Sequence, residues 1–242
     1  MLEYFLLLTR VSLLSTATIA LYICSFTKWD PLSIIKLIVK HCAGITVNIN
    51  DGTHKVLNNH KGIIVCNHIS SWMDAIVLAS VLENKNIKYV IADTVLQVPI
   101  IGRVCNYIFS PISIDKHSKN NSCKIIDFNF GNNSLLIFPE GTTDGNALPN
   151  KYHTTSFRID QDLLAIAITY NPIKYYTVDN IHSGQISDIF AEIPYIIKQL
   201  TTNAICTIDI VGKFRKHSQE QPDEYADRVK QRTIKKLLKL NK

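Results

Sequence analysis

The chain has 242 residues, 46% of them hydrophobic and 19% charged, with a formal net charge of +6. That balance excludes a disordered chain and fits one domain of ordinary size with an N-terminal appendage. Cys24, Cys42, Cys66, Cys105, Cys123 and Cys206 are scattered, most of them within apolar runs. Their spacing matches neither a metal site nor a small secreted disulfide framework, so they read as reduced packing residues.

Val11 to Thr27 carries no charged side chain. As a helix those residues reach about 26 Å, a little short of a hydrocarbon core of about 30 Å. Tyr4 to Thr9 extends the apolar stretch, and Arg10 interrupts it. An arginine near a helix end can snorkel towards lipid headgroups. A cleavable signal peptide fits poorly, because the basic residue lies inside the apolar run instead of ahead of it. A membrane anchor is expected here, with a buried core helix as the alternative. Lys28, Lys36 and Lys40 follow the run and place the remainder on the cytoplasmic side. Asp30-Pro31 should start a second helix. Its wide apolar face (Leu32, Ile34, Ile35, Leu37, Ile38, Val39) suits resting on a bilayer or packing against the domain. Residues 1–44 are therefore expected to be membrane-associated helices, and 45–242 the globular domain.

Ile45 to Ile49 alternates as a strand, and Asp51-Gly52 reads as a turn. Gly62-Ile63-Ile64-Val65 is a short buried strand, and Ala75 to Leu82 continues as a helix. Lys88 to Ala92 is a further strand, and Thr94 to Cys105 is partly helical, broken by Pro99 and Gly102. Tyr107 to Ile114 is mostly apolar and ends at Asp115-Lys116. Leu135 to Phe138 and Leu163 to Tyr170 read as buried strands, Ser187 to Leu200 as a helix, and Ala204 to Val211 as a late strand. Asp223 to Leu240 is an amphipathic helix. From Asp223 to Lys242 there are seven Lys or Arg against three acids, so this helix suits docking on the domain or resting on anionic lipid. The alternation predicts an α/β fold, a mostly parallel central sheet flanked by helices. Basic residues gathered in one tail without interleaved aromatics argue against a nucleic-acid partner. No Gly-x-Ser-x-Gly elbow is present, which argues against a Ser-His-Asp hydrolase.

Chemistry concentrates in Cys66-Asn67-His68-Ile69-Ser70-Ser71-Trp72-Met73-Asp74. A histidine and a carboxylate between a strand and a helix stand where open α/β sheets bind ligands. His68 can take a proton from a hydroxyl near neutral pH, and Asp74 can hold its tautomer and stabilise the cation formed. Ser71 and Asp74 also match a capping box, which would make Asp74 a helix cap that never touches the histidine. The second polar turn, Phe138-Pro139-Glu140-Gly141-Thr142-Thr143-Asp144-Gly145, again follows an apolar strand, so both turns can face one crevice.

Over about Lys61 to Tyr170 the sequence resembles the membrane glycerophospholipid acyltransferases, the family containing lysophosphatidate and lyso-ornithine-lipid acyltransferases. The resemblance rests on Asn67-His68 with Ser71 and Asp74, on Phe138-Pro139-Glu140-Gly141-Thr142, and on the order and separation of the two blocks. It implies transfer of a fatty acyl group from an acyl thioester (acyl-CoA or acyl carrier protein) to the hydroxyl of a membrane lysophospholipid, most simply 1-acyl-sn-glycerol-3-phosphate. It also implies His68 as base with Asp74 as its partner, and acceptor binding by Glu140, Gly141 and Thr142. Lys116, where the family usually has arginine, and Lys151 would add positive charge. No metal and no acyl-enzyme cysteine is called for, and the thioester is a co-substrate. Five residues separate His68 from Asp74 where the family pattern has four. Neither spacing pairs them on one regular helical face, at about 240° and about 140° of rotation. Their contact therefore requires His68 to sit in the turn before the helix. Other acceptors stay open, since Thr142-Thr143-Asp144-Gly145 looks closer to the lyso-ornithine-lipid branch. So does a catalytically silent lipid-binding protein that keeps the fold.

Overall fold

The computed structural model describes residues 2–27, 29–83, 86–115, 121–141, 148–172 and 200–240. Chain order among them is α1 (Leu2–Thr27), α2 (Leu32–Leu37) running into a π turn (Ile38–Cys42), β1 (Ile45–Ile49), α3 (Asp51–Asn59), β2 (Gly62–Cys66) and α4 (Ser71–Val81). There follow β3 (Ile87–Ala92), α5 (Asp93–Leu96), α6 (Pro99–Phe109), β4 (Ile112–Ile114), α7 (Asn121–Ile126), β5 (Ser134–Ile137) and a 3₁₀ turn (Thr154–Arg158). β6 (Leu163–Asn171), β7 (Ala204–Phe214) and α8 (Pro222–Leu240) complete the order.

The described strands form one sheet in the order β1-β7-β6-β2-β5-β3-β4. All neighbours are parallel except β6 and β7, which run antiparallel. The sheet is mostly parallel, as the sequence implies. β2, β5 and nearly all of β6 are buried at every position, whereas edge strand β1 alternates. That contrast follows from helices covering both faces of the sheet's centre. Within β2 the pleat sends Ile64 and Cys66 to one face, against Met73, Val77 and Leu78 of α4. It sends Ile63 and Val65 to the other, against Phe157, Tyr225 and Val229. Each such fully buried apolar side chain contributes roughly 1.5–3 kcal/mol.

Several local expectations are corrected. Asp51-Gly52 is the first turn of α3, because the Asn50 side chain caps that helix by accepting from Thr53 N (2.7 Å). Gly102 does not interrupt α6; it lets the helix pack under Leu96, whose carbonyl would lie 2.0 Å from an added Cβ. The helix expected over Ser187–Leu200 lies almost wholly outside the described residues. α8 docks on the domain through Tyr225, Ala226, Val229, Thr233 and Leu237, so its apolar face is not available to lipid.

α1 is one continuous helix of 26 residues, and the span Tyr4–Thr27 is long and apolar enough to cross a membrane. Arg10 does not snorkel. It is buried, and donates to Leu200 O (2.8 Å) and to the Asn203 side chain, which fastens the helix to the chain ahead of β7. Ala17 and Leu21 pack with Ile38 and Cys42 of the π turn and Val104 of α6. The opposite face exposes Tyr4, Phe5, Leu8, Ile19, Ile23 and Phe26, and fits a membrane-associated helix. Hydroxyls along α1 (Thr9, Ser15, Thr16, Thr18, Ser25, Thr27) donate to carbonyls one turn back, which satisfies them without water. α2 and the π turn pack on the domain, with Ile35 and Val39 in the core beside α4.

Candidate active site

Sheet register brings the two polar turns together. β2 and β5 are parallel neighbours with Val65 opposite Ile137, so three residues further on His68 stands opposite Glu140. The His68 backbone N–H donates to Glu140 Oε1 at 2.7 Å. On the other side of β2, the Asn67 side chain accepts from Ile168 N (2.8 Å) and donates to Ile168 O (3.0 Å). Asn67 thus replaces a rung of the β2–β6 ladder with its own amide and ends the strand, leaving His68 in the turn.

The dyad is formed. His68 Nδ1 donates to Asp74 Oδ2 at 2.9 Å. The same oxygen accepts from Ile69 N (2.7 Å) and Ser70 N (2.8 Å). Helix α4 starts only at Ser71, so residues 68–70 wrap around the carboxylate, and the extra residue between His68 and Asp74 is absorbed ahead of the helix. Catalytic partner and helix cap are therefore compatible roles. Asp74 closes the N-terminal backbone of α4 and holds the imidazole with one oxygen. The other oxygen, Oδ1, accepts from the Tyr170 hydroxyl at 2.7 Å. Asp74 has no exposed side-chain surface, while His68 keeps 17% of its side chain accessible. With Nδ1 committed to Asp74, Nε2 carries the free lone pair. Phe138 stacks on the imidazole, with centroids 4.3 Å apart and planes 22° from parallel, and fixes the ring plane.

The remaining expected site residues fall as follows. Glu140 is buried and tied to the histidine turn. Gly141 closes its turn through N–H donation to Phe138 O (3.1 Å) with φ of +72°; an added Cβ would lie 3.0 Å from the His153 ring, so glycine is required twice over. Lys151 is exposed, two residues ahead of His153, whose N–H donates to Pro139 O (2.7 Å); its segment therefore runs beside the Glu140 turn. Lys116 and Thr142 lie outside the described residues. The sequence reading passed over Tyr170, the Asn67 clasp and the Phe138 stack. All three depend on strands meeting side by side, and only a tyrosine near the end of a mostly apolar strand hinted at the first.

Burial, reinforced by Asp74, pushes the Cys66 thiol and the Tyr170 phenol well up, and likewise Cys206. Both cysteines are held as protonated packing residues. Two cavities among the described residues lie away from His68. One of about 480 Å³ is lined by Lys40, His41, Asn171 and Asn203. The other, about 240 Å³, sits at the far end of α4 among Leu32, Ile35, Leu82 and Tyr89.

A family model described as Acyltransferase matches residues 47–176, more than half of the chain. A comparison with curated proteins finds none that matches. Among solved structures, the crystal structure of the 1-acyl-sn-glycerophosphate (LPA) acyltransferase PlsC from Thermotoga maritima is similar in fold. The TM-score is 0.63, over 99% of this chain and 96% of that chain, at 13% sequence identity.

Proposed function

Since the chain belongs to the Acyltransferase family, we propose that it moves a fatty acyl group from an acyl thioester to the hydroxyl of a lysophospholipid, with 1-acyl-sn-glycerol-3-phosphate as acceptor and phosphatidate as product. The observation that carries this reading is the His68 Nδ1–Asp74 contact at 2.9 Å beside the Glu140–Gly141 turn. Nε2 of His68 takes the acceptor's proton as its oxygen adds to the thioester carbonyl. The tetrahedral adduct then expels the thiol, whose sulfur receives that proton from the imidazolium. A positioned base of this kind supplies about 10²- to 10⁴-fold in rate. Asp74 keeps Nδ1 protonated and offsets the positive charge during the transfer.

In this reading Gly141, Thr142 and the turn held by Glu140 border the acceptor's glycerol and headgroup, with Lys116 and Lys151 supplying charge for a phosphate. The exposed apolar face of α1 rests in lipid and delivers the acceptor. Because α1 is docked along its length by Arg10 and Leu21, helix and domain meet the membrane as one body. Lys28, Lys36 and Lys40 favour the cytoplasmic face.

The test offers labelled acyl-CoA or acyl carrier protein, with a panel of lysolipids, to membranes containing the protein. Acylated product on lysophosphatidate supports the proposal, and His68→Ala abolishes it while membrane association persists. Product only on lyso-ornithine lipid or another lysolipid overturns the acceptor. No product from any pair overturns the enzymatic reading in favour of a silent lipid-binding protein.

A further inference from the structure

Tyr170, next to last in β6, carries a hydroxyl that has no part in the proposed transfer, yet it lies in the least accessible part of the site. The residue is 2% exposed, and its hydroxyl donates to Asp74 Oδ1 at 2.7 Å. Its antiparallel partner across the β6–β7 ladder is Cys206, so both side chains leave the same face of the sheet. Among the described residues Asp74 consequently receives four donors: the His68 ring, two backbone N–H groups and the phenol. Of these donors among the described residues, only the phenol comes from outside the segment 68–74, and only it occupies the oxygen that His68 does not use.

We propose that Tyr170 is a positioning residue, which fixes Asp74 from the β6 side and sets how strongly that carboxylate holds the proton on His68. The inference rests on the reading of His68 as the base. A donor on Oδ1 draws electron density from the carboxylate and weakens its support for the imidazolium. The neutral, proton-accepting ring is then favoured down to lower pH. The titratable groups acting on the hydroxyl are Asp74 on α4, Cys206 on β7 and Cys66 on β2, while His68 meets Asp74 on its other oxygen and Glu140 bonds the His68 backbone. Of these, Cys66 and Cys206 are held neutral by burial. Phenol and carboxylate are the pair that acts on the imidazole. A strand that merely packed would need a ring here, but no hydroxyl.

Two substitutions move the effect in opposite directions. Tyr170→Phe removes the donor, keeps the ring, and shifts the acid limb of kcat/KM up by about half to one pH unit. Rates on that limb then fall about 3- to 10-fold, with recovery at higher pH. Replacing Tyr170 by 3-fluorotyrosine makes the phenol a stronger donor at nearly constant shape and moves the limb down. The same order, Phe variant highest and fluorotyrosine lowest, is expected when the His68 ring is titrated by NMR in detergent. That measurement needs no turnover, so it separates this inference from the choice of substrate. A limb and a ring titration unmoved in both variants, or a uniform loss of rate with no movement, overturn it. If the Phe variant does not fold, the fluorotyrosine protein alone decides, by the downward shift or its absence.

Discussion

His68 and Glu140 stand three residues beyond a register pair of adjacent parallel strands, and the backbone of the first is tied to the side chain of the second at 2.7 Å. That bond fuses two turns lying 72 residues apart into one surface. In the proposed mechanism the same bond would let Glu140 hold the His68 turn in place beside the acceptor.

Replacing Glu140 by Ala removes this acceptor. We expect acyl transfer to fall about 10²-fold, as displacement of a reacting group by about 1 Å produces. Glu140→Gln keeps a carbonyl oxygen and should stay within about tenfold of the parent. Initial rates at saturating acceptor distinguish the two.

Asp74→Asn retains an oxygen for the Ile69 and Ser70 N–H groups and an amide towards the Tyr170 hydroxyl, so the fold should survive. The negative charge beside the imidazole is lost, and kcat should drop by about 10²- to 10⁴-fold. Asp74→Ala strands four buried donors and should unfold or lose several kcal/mol, at about 1–3 kcal/mol per unsatisfied group. Urea unfolding followed by circular dichroism reports the difference.

Asn67 is buried and makes both of its bonds to Ile168. Asn67→Ala leaves a backbone N–H and a carbonyl of β6 without those partners, at a cost of about 2–4 kcal/mol. The loss should appear as a lower denaturation midpoint with an unchanged urea dependence, and hydrogen exchange should quicken at Ile168.

Arg228 grips Glu220 through Nε (2.6 Å) and Nη2 (2.8 Å), which pins the start of α8. These bonds hold the Glu220 carboxyl down at about 2, from an ordinary value of 4.5. A depressed acid stabilises the fold fully above its unfolded value, and that contribution drains away as pH falls from about 4.5 towards about 2. Thermal unfolding across that window should therefore show a slope that Glu220→Gln flattens.

Much of this protein was written locally. The apolar run Gly62–Val65 is a strand because it must be covered on both faces, and Ser71–Val81 is a helix whose first turn carries Asp74, the carboxylate that accepts from the Ser70 N–H at its start. The identity of the two turns could be read from the same short stretches, since each needs particular residue types within a few positions. Local patterns also misled. Asp51-Gly52 looked like a turn until Asn50 supplied a cap, and Arg10 looked like a headgroup anchor until it found Leu200 O. What the tertiary structure alone decided are the contacts between residues far apart in sequence. Tyr170 reaches Asp74 across 96 positions, Asn67 meets Ile168 across 101, and Arg10 meets Leu200 across 190. The first two pairings depend on which strands lie side by side and in what register, and the third on where α1 docks. A short window of sequence specifies the shape and polarity of each strand but not its neighbour, because strand partners are selected by the burial of the whole sheet.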